Sequence, residues 1–375
     1  MTTSIGLTNV TVANTALSSI DGTAGRLQYA GYDIHELAQS ATFEDICYLL
    51  WYGDLPNAMQ LRNFKARLIG ERRLSEAEQQ LVERLPHDGH GMDALRTMVS
   101  ALAQLDPQAD DTQAHHVDNI SIRLVAKIPT LLATWHRIRR GQTPIDPDPE
   151  LGHAANFLWM LHGERPSDAA TRAFEVYLVL TAEHGLNAST FAARVAIGSH
   201  ADAYCAVVAA IGTLKGLWHG GANQKAMETF IDIGAPENAP AYINSLIAQG
   251  GRLMGVGHRI YKVEDPRVRH LRTQVEALGS DQDRWQLVAD AVRDIIATHP
   301  YFTKRQLAPN VEFYSAPLLY ELGLPLDLFT AAFAMSRSAG WIAHIREQLV
   351  DNRLIRPKAA YNGPENRKFV ALQER

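Results

Sequence analysis

Residues 217–224 read Leu-Trp-His-Gly-Gly-Ala-Asn-Gln, which places one histidine before two glycines and the start of an apolar-periodic segment. The spacing of the apolar residues that follow predicts a helix over Ala222–Ile233. His219 would then lie just before a helix N-terminus, where the positive end of the dipole disfavours a protonated ring. A neutral imidazole in such a place can polarise a carbonyl by donating one N–H. Taken alone, however, the residues favour a loop histidine beside a flexible Gly-Gly turn.

Two later stretches favour a functional interpretation of His219. Residues 254–267 read Met-Gly-Val-Gly-His-Arg-Ile-Tyr-Lys-Val-Glu-Asp-Pro-Arg, with His258 in a glycine-rich turn that suits close backbone approach to a ligand. Residues 310–315 read Asn-Val-Glu-Phe-Tyr-Ser, in which apolar neighbours flank Glu312. Partial desolvation raises the proton affinity of such a carboxylate and makes it a candidate general base. The alternatives are a turn histidine and a solvated glutamate near a helix start.

The composition is that of an ordinary globular protein with an acidic balance. The chain has 375 residues, 46% of them hydrophobic, and a formal net charge of −5, so it can form two domains. An acidic balance argues against nucleic-acid binding, which needs a basic surface. The longest apolar run, around residues 203–214, is too short to span a bilayer. The first residues also lack the features of a secretory or mitochondrial signal. We therefore expect a cytoplasmic protein with no membrane partner.

Cysteine usage and motif searches argue against a metal or a resident cofactor. Cys47 and Cys205 lie far apart in apolar helical contexts, so we expect two buried, reduced thiols. The sequence has no Cys-x-x-Cys, His-Glu-x-x-His, P-loop or Gly-x-Ser-x-Gly spacing. The glycines at 255 and 257 lack the third glycine and the preceding strand of a dinucleotide-binding motif. We therefore expect no metal and no permanently bound cofactor.

The residue pattern is helical along most of the chain, with one β region between Asn9 and Asp33. In that region residues 17–20 and 27–29 flank a turn signal at 21–25, which predicts a hairpin. Ser75 and Glu78 have the spacing of a capping box, and Pro129 should kink a long helix without ending it. The helices predicted before residue 217 span 43–51, 58–70, 75–85, 92–105, 120–140, 151–161, 168–180 and 199–214.

The sequence pattern changes after residue 217, where the predicted helices are shorter and glycine-rich turns are more frequent. We expect residues 217–317 to form a small domain inserted into a large helical domain of residues 1–216 and 318–375, with the active site in the cleft between them. A long helix predicted over 326–350 returns the chain to the large domain. The nearly apolar segment 199–214 is either a central helix or part of a subunit interface. The predicted fold class is all-α with a small N-terminal β-hairpin.

These motifs, with Arg356-Pro357-Lys358 near the end of the chain, resemble those of the citrate synthase family, and the resemblance runs nearly the whole chain. It implies a two-domain helical fold and the condensation of acetyl-CoA with oxaloacetate and water to give citrate and CoA. Glu312 would remove the methyl proton, His219 would donate to the thioester oxygen, and His258 would polarise the ketone of oxaloacetate. The family usually has aspartate where Glu312 stands. The extra methylene moves the carboxylate oxygens by roughly an ångström, which can cost about a hundredfold in rate.

The resemblance also implies which residues bind the substrates. Those that would hold oxaloacetate and citrate are Arg72, His184, Arg267, Arg337 and Arg356. Those that would line the coenzyme A site are Arg252, Leu253, Met254, Gly255 and Val256. A guanidinium binds a carboxylate with two parallel hydrogen bonds, although each arginine taken singly is more often a surface residue. Arg72 could equally be a solvated helix end, and Arg356 would be supplied by the neighbouring subunit of a homodimer.

Two alternative functions stay open at this point. A 2-methylcitrate synthase uses propionyl-CoA with the same residues, and one extra methyl in a pocket is worth only about 1–3 kcal/mol of discrimination. A CoA-binding homologue with reduced or lost activity is the other alternative, because Glu312 departs from the usual aspartate.

Overall fold

The computed structural model describes residues 5–7, 10–111, 113–279 and 284–375. Asn9, where the predicted β region begins, lies outside them. In the described part of the chain the protein is mostly helical with three short strands, which confirms the predicted all-α class. None of the helices described there is long and apolar enough to cross a membrane.

A three-stranded antiparallel sheet precedes the helices. Its strands, in spatial order, are β1 (Ser18–Asp21), β2 (Arg26–Tyr29) and β3 (Tyr32–Asp33). Ser18 lies opposite Tyr29, and the Asp21 carboxylate closes the turn by accepting the N–H groups of Thr23 and Ala24, each at 2.9 Å. The predicted hairpin is therefore confirmed, and the short strand β3 was not predicted.

In the described part of the chain, ten α-helices lie before residue 217. They are α1 (Ile34–Ser40), α2 (Phe43–Tyr52), α3 (Ala58–Glu71), α4 (Glu76–Glu83), α5 (Gly91–Leu105), α6 (Ala114–Arg139), α7 (His153–His162), α8 (Asp168–Thr181), α9 (Ala188–Gly198) and α10 (Ala203–Leu214). The predicted capping box is present at the start of α4. There the Ser75 N–H donates to Glu78 Oε2 at 2.7 Å, and the Glu78 N–H donates to Ser75 Oγ at 3.3 Å. Local side-chain chemistry thus fixes this helix start.

Two of these helices differ from the prediction. Helix α6 begins at Ala114, six residues earlier than predicted. The residues of its first turns are polar and have no apolar stripe, so the sequence pattern did not indicate a helix there. The helix continues through Pro129, as predicted. Helix α9 was not predicted, and Ser199, expected to begin the next helix, is instead the C-terminal cap of α9. The cap of α10 is Asp202, whose carboxylate accepts the Cys205 N–H at 2.8 Å.

Seven α-helices follow residue 217 among the residues that the structure describes. They are α11 (Ala222–Ile233), α12 (Ala239–Ala248), α13 (Val268–Leu278), α14 (Arg284–Thr298), α15 (Pro300–Thr303), α16 (Val311–Glu321) and α17 (Phe329–Val350). Helix α11 has the predicted bounds. The predicted helix over 326–350 is confirmed as α17, preceded by a 3-10 turn at Leu326–Leu328.

The centre of the fold is α17, whose residues are buried from Phe329 to Ile345. It packs against α2, α6, α8, α9 and α10. Helix α10, one candidate for the central position, is not buried all round because Cys205 is exposed on it. The prediction of two buried cysteines is therefore wrong for Cys205 and right for Cys47, and both thiols are free. The side of α10 that carries Cys205 faces away from the core.

The hairpin turn packs against the segment that follows His258. The Lys262 N–H donates to Gly22 O at 2.8 Å. A Cβ added at Gly22 would lie 2.3 Å from Ile260 O, so the turn and the segment are in direct backbone contact. Deeper in the protein, the Tyr29 hydroxyl donates to Glu183 O at 2.8 Å. The small sheet thus supports two loops that carry predicted site residues.

Candidate active site

His258 is a half-buried imidazole whose tautomer is set by the backbone. Its Nδ1 accepts the N–H groups of Ile260 at 3.0 Å and Tyr261 at 3.1 Å. A nitrogen that accepts from two amides carries no proton, so the ring proton of neutral His258 sits on Nε2. Burial, assisted by the positive charge of Arg267, lowers the pKa of His258 to about 4. At neutral pH the ring is therefore an uncharged donor through Nε2.

The loop that carries His258 and the helix that carries Glu312 are joined through Asn310. The Asn310 side chain accepts the Glu312 N–H at 3.1 Å, which caps α16, and donates to Gly257 O at 2.9 Å. Gly255 has φ +79°, and a Cβ there would lie 3.2 Å from the backbone of α16. Glycine is needed for both reasons. Two chain segments more than fifty residues apart in sequence therefore form one rigid unit.

Glu312 lies in the first turn of α16 and is half-buried. Burial raises the pKa of its carboxyl above the ordinary value, and the negative charge of Asp265 adds to this. The positive charges of Arg267 and Arg337 oppose the shift without reversing it. The helix N-terminus also favours the ionised form. The result is a carboxylate that is more basic than a solvated one and is subject to the positive charges of two guanidinium groups.

His219 precedes α11 as predicted, but a different helix N-terminus reaches its ring. Its Nε2 lies 3.3 Å from the donating N–H of Ser189, in the first turn of α9, and 2.8 Å from Ser189 Oγ. Trp341 Nε1 in turn donates to Ser189 Oγ at 3.0 Å. Since Nε2 accepts the Ser189 amide, we assign the ring proton to Nδ1.

The cause of the neutral ring of His219 also differs from the expectation. Burial is the main reason that its pKa is lowered to about 4, and the positive charge of Arg337 adds to it. The dipole of α11 was expected to be the cause. His219 is therefore the second uncharged donor of the site, and its Nδ1–H takes no part in the contact that Nε2 makes with α9.

His184 completes a group of three imidazoles. Its ring stands edge-on to that of His258, with centroids 5.3 Å apart, and its Nε2 is 3.1 Å from the Tyr261 hydroxyl. Burial first, and then the charge of Arg267, holds the pKa of His184 well below its usual range. The contact with Tyr261 was missed by sequence reasoning, although the tyrosine lies only three residues after His258.

Glu183 fixes the loop on which His184 lies. Its Oε1 accepts the Gly185 N–H at 2.5 Å and lies 3.1 Å from His344 Nε2. His344, on α17, holds the pKa of Glu183 below its ordinary value although both side chains are fully buried. The loop is therefore anchored to the central helix of the fold.

Arg267 is buried and pre-oriented by a carboxylate. Its Nε and Nη2 donate to Asp265 at 2.9 Å and 2.6 Å, and its backbone N–H donates to the same side chain at 3.0 Å. Nη1 has no hydrogen bond to any described residue, so this edge of the guanidinium is open to a ligand. Asp265 was not singled out from the sequence, although its position two residues before Arg267 was a usable signal.

Arg337 is a buried guanidinium without an ion-pair partner among the described residues. It is 2% exposed, its Nε donates to Thr181 O at 2.7 Å, and its charge lies 4.8 Å from the ring centroid of Phe333. Burial lowers the pKa of Arg337 from its usual value. A buried cation is costly unless it is paired. The side chain is therefore suited to an anionic ligand that this protein chain does not itself provide.

The structure places the remaining predicted residues apart from this cluster or at its edge. Arg72 is buried, and its Nη1 donates to Leu151 O at 2.7 Å. It interacts with Glu44 and Asp148 and with none of the site residues above, so it fastens α3 to the loop before α7. The expected contact of Arg72 with substrate has no support from these neighbours.

The residues predicted to bind coenzyme A differ in exposure. Arg252 is exposed, Met254 and Val256 are half-buried, and Leu253 and Gly255 are buried, with a β-bridge between Val256 and Pro309. Arg356 is exposed in the extended tail after α17. Neither Arg252 nor Arg356 belongs to the cluster of buried charges.

The site as a whole combines a basic carboxylate, neutral imidazole donors and two buried guanidinium groups. Their mutual electrostatic effects link His184, His219 and His258 to Arg267 and Arg337, and link Glu312 to the same two arginines. Such a site can bind a di- or tricarboxylate, remove a proton from carbon, and stabilise the charge that develops on a carbonyl oxygen.

Comparison with known proteins agrees with this chemistry. The family model described as "Citrate synthase, C-terminal domain" matches residues 6–358. A citrate synthase of Haloferax volcanii is 44% identical, with 99% of this chain and 98% of that protein covered. A 2-methylcitrate synthase of Mycobacterium tuberculosis is 41% identical, with coverage of 96% and 91%. The crystallised citrate synthase of Thermoplasma acidophilum, in ternary complex with carboxymethyl coenzyme A and oxaloacetate, has a TM-score of 0.94 at 31% identity and full coverage of both chains.

Fold and site together define an enzyme of the acyltransferase class. Because the family model and the relatives cover almost the whole sequence, the chain belongs to the citrate synthase family.

Proposed function

We propose that this protein condenses acetyl-CoA with oxaloacetate and water to give citrate and CoA. The observation that carries the proposal is Arg337, a buried guanidinium with no ion-pair partner in the described chain, beside Arg267 with one open edge. Two such groups suit the two carboxylates of oxaloacetate. The neutral imidazoles of His184 and His258 stand next to Arg267, where the ketone of the same substrate would lie.

The first step is removal of a proton from the methyl group of acetyl-CoA. Glu312 takes this proton, since burial makes its carboxylate more basic than usual. His219 donates its Nδ1–H to the thioester oxygen, where negative charge develops as the enol forms. The neutral state of the ring matters here because a neutral imidazole keeps one N–H at neutral pH. It can donate this N–H in a hydrogen bond to the thioester oxygen.

The second step forms the carbon–carbon bond. His258 donates from Nε2 to the ketone oxygen of oxaloacetate, so the carbonyl carbon becomes electrophilic and the enol attacks it. The new alkoxide takes the proton of His258 Nε2, the proton carried by Glu312 replaces it, and the product is a citryl thioester. Water then attacks the thioester carbonyl, the carbon–sulfur bond breaks, and CoA leaves as a thiol. No other co-substrate is needed to balance this reaction.

The domain division supports a site that closes during the reaction. We infer that residues 217–317 form the small domain. With this division His219, His258, Arg267 and Glu312 lie on the small domain, while His184 and Arg337 lie on the rest of the chain. Closure of one part on the other would complete the site and exclude water until condensation is over.

The homodimer with Arg356 acting in the partner's site is also part of this proposal. Its support is the exposed position of Arg356 in an extended tail, which leaves it free to reach a second subunit. The exposed Arg252 and residues 253–256 are proposed to bind coenzyme A. The free state of both thiols is consistent with the proposed cytoplasmic location.

Release of free thiol is the measurement that tests the activity. Purified protein should release CoA from acetyl-CoA only when oxaloacetate is present, and Glu312→Gln should abolish the rate while oxaloacetate still binds. Faster turnover of propionyl-CoA than of acetyl-CoA would assign a 2-methylcitrate synthase. Binding of both substrates without thiol release would leave a CoA-binding homologue and refute the proposed activity.

Subunit mixing tests the shared site. Inactive Arg356→Ala and inactive His258→Ala proteins, when mixed under conditions of demonstrated subunit exchange, should regain activity because one site of each hybrid dimer is intact. Hybrid dimers that stay inactive would contradict the assignment of Arg356 to the partner's site.

A further inference from the structure

Tyr177 carries a buried hydroxyl without an obvious use. It lies near the end of α8, is 1% exposed, and its ring stacks on Phe174 with centroids 5.8 Å apart. Among the described residues its hydroxyl has no hydrogen-bond partner. Thr181 lies nearby, but its hydroxyl bonds the Tyr177 carbonyl at 2.7 Å and Ser336 Oγ at 2.8 Å. An unpaired buried polar group destabilises the folded state, a cost that phenylalanine would avoid.

The charges that act on this hydroxyl belong to the active site. After burial, the negative charge of Glu312 is the next cause that raises the pKa of Tyr177, and the positive charge of Arg337 opposes it. The phenol is therefore protonated at any working pH and can serve as a donor. Apart from its own backbone N–H, the Glu312 carboxylate has no hydrogen-bond donor among the described residues. Helix α8, which carries Tyr177, packs against α16, which carries Glu312. The carbonyl of Thr181, one turn after Tyr177, accepts the Nε–H of Arg337 at 2.7 Å. A buried donor without an acceptor thus lies on a helix in contact with the helix of a carboxylate without a side-chain donor.

We propose that the Tyr177 hydroxyl donates a hydrogen bond to Glu312 in the reacting complex and positions its carboxylate. Glutamate has one more rotatable bond than the aspartate usual in the family, so it needs an additional restraint to keep its oxygens in place. With one oxygen held by the phenol, the other is directed at the methyl proton of the thioester substrate. The inference rests on the proposed function, because it requires Glu312 to act as the base.

The test is Tyr177→Phe, measured by thiol release as a function of substrate and pH. We expect kcat to fall about tenfold, at the lower end of the effect of a misplaced catalytic group. The KM for oxaloacetate should stay unchanged. The acid limb of the kcat profile, which reports the substrate-bound enzyme, should move to higher pH, because a carboxylate that loses a donor has a higher pKa. Thermal stability should not fall, because the hydroxyl removed has no partner.

Tyr204→Phe is the matched control. Tyr204 is equally buried, but its hydroxyl donates to Asp106 Oδ2 at 2.7 Å, far from the catalytic cluster. This variant should lose thermal stability and keep both kcat and the pH profile. A general effect of removing a buried phenol oxygen would show in both variants, whereas a positioning role affects only Tyr177.

A double-mutant cycle with Glu312→Asp examines the pairing itself. The shorter carboxylate is withdrawn from the phenol, so Tyr177→Phe should have little further effect in the Glu312→Asp background. An unchanged kcat and pH profile in Tyr177→Phe alone would overturn the inference. So would a raised KM for oxaloacetate at constant kcat, which would assign the hydroxyl to the substrate. An inactive wild type would refute the proposed function, whereas an active wild type with an unaffected Tyr177→Phe variant refutes this inference alone.

Discussion

The substitution Glu312→Asp shortens the side chain of the proposed base, and the backbone at this position cannot move to compensate. The start of α16 is held by Asn310, which bonds the Glu312 N–H at 3.1 Å and Gly257 O at 2.9 Å. On its other side the helix already touches the loop, since a Cβ on Gly255 would lie 3.2 Å from Phe313 Cα. The helix can therefore neither advance nor rotate to compensate for a shorter side chain.

The expected magnitude follows from the length of one methylene. The carboxylate oxygens retreat by roughly an ångström, and such a displacement lowers the rate about a hundredfold, equivalent to about 2.7 kcal/mol in the activation barrier. The KM for oxaloacetate should not change, because His184, Arg267 and Arg337 are untouched. Initial rates of thiol release at saturating acetyl-CoA, over a range of oxaloacetate concentrations, separate the two parameters.

Glu321→Asp is the control for the substitution itself. Glu321 ends the same helix on its exposed side, so the same change there should leave kcat as it is. If Glu312→Asp is as active as the wild type, the site is not built around the longer side chain, and the reasoning from the fixed helix start is wrong.

Three further predictions concern stability as well as activity. Asp265→Asn removes one half of a buried ion pair whose closest N–O distance is 2.6 Å, which should lower the free energy of unfolding by about 3–5 kcal/mol and raise the KM for oxaloacetate through a disordered Arg267. Denaturant titration and steady-state kinetics measure the two effects, and an unchanged free energy of unfolding would contradict the first. His35 Nδ1 and His270 Nε2 lie 2.8 Å apart and join α1 to α13. Burial lowers the pKa of both rings, and it lowers the pKa of His270 to about 4. Because the unfolded chain then binds more protons than the folded one below about pH 6.5, stability should fall between pH 7 and pH 4, and His270→Gln should flatten this dependence in thermal melts. Glu312→Gln should raise the melting temperature at pH 7, because burial raises the carboxyl pKa and so disfavours the charged form in the folded protein. The same substitution should lower kcat by at least about a hundredfold, because it removes the proposed base. A lower melting temperature would show that the charge is instead stabilising.

Much of the secondary structure could be predicted because local chemistry determines it. The capping box at Ser75 and the apolar spacing of α11 were sufficient to place those helices within a residue or two. Helix α9 was missed because the small and polar residues that begin it leave no clear apolar stripe. The start of α6 was misplaced for a similar reason. Local patterns therefore predicted helices that bury an apolar face and failed where tertiary contacts hold a polar turn in helical form.

The site was only partly predictable because its residues are joined by contacts that are distant in sequence. His219, His258 and Glu312 stood out individually from their neighbours, but the contact of His219 with Ser189 spans thirty positions and depends on α9. Arg72 has the same chemistry as Arg337 in the sequence. Arg72 bonds backbone carbonyls of the loop before α7, whereas Arg337 is buried among the charged groups of the site, and only the fold distinguishes them.

The backbone contact at Gly22 limits which substitutions the N-terminal turn tolerates. A surface hairpin normally accepts many side chains, yet any Cβ at this position would meet Ile260 O at 2.3 Å and push on the strand of chain just beyond His258. In a saturation-mutagenesis experiment that selects for growth, this glycine of the hairpin turn should therefore behave like a residue of the active site, although it lies more than two hundred positions before His258 in the chain.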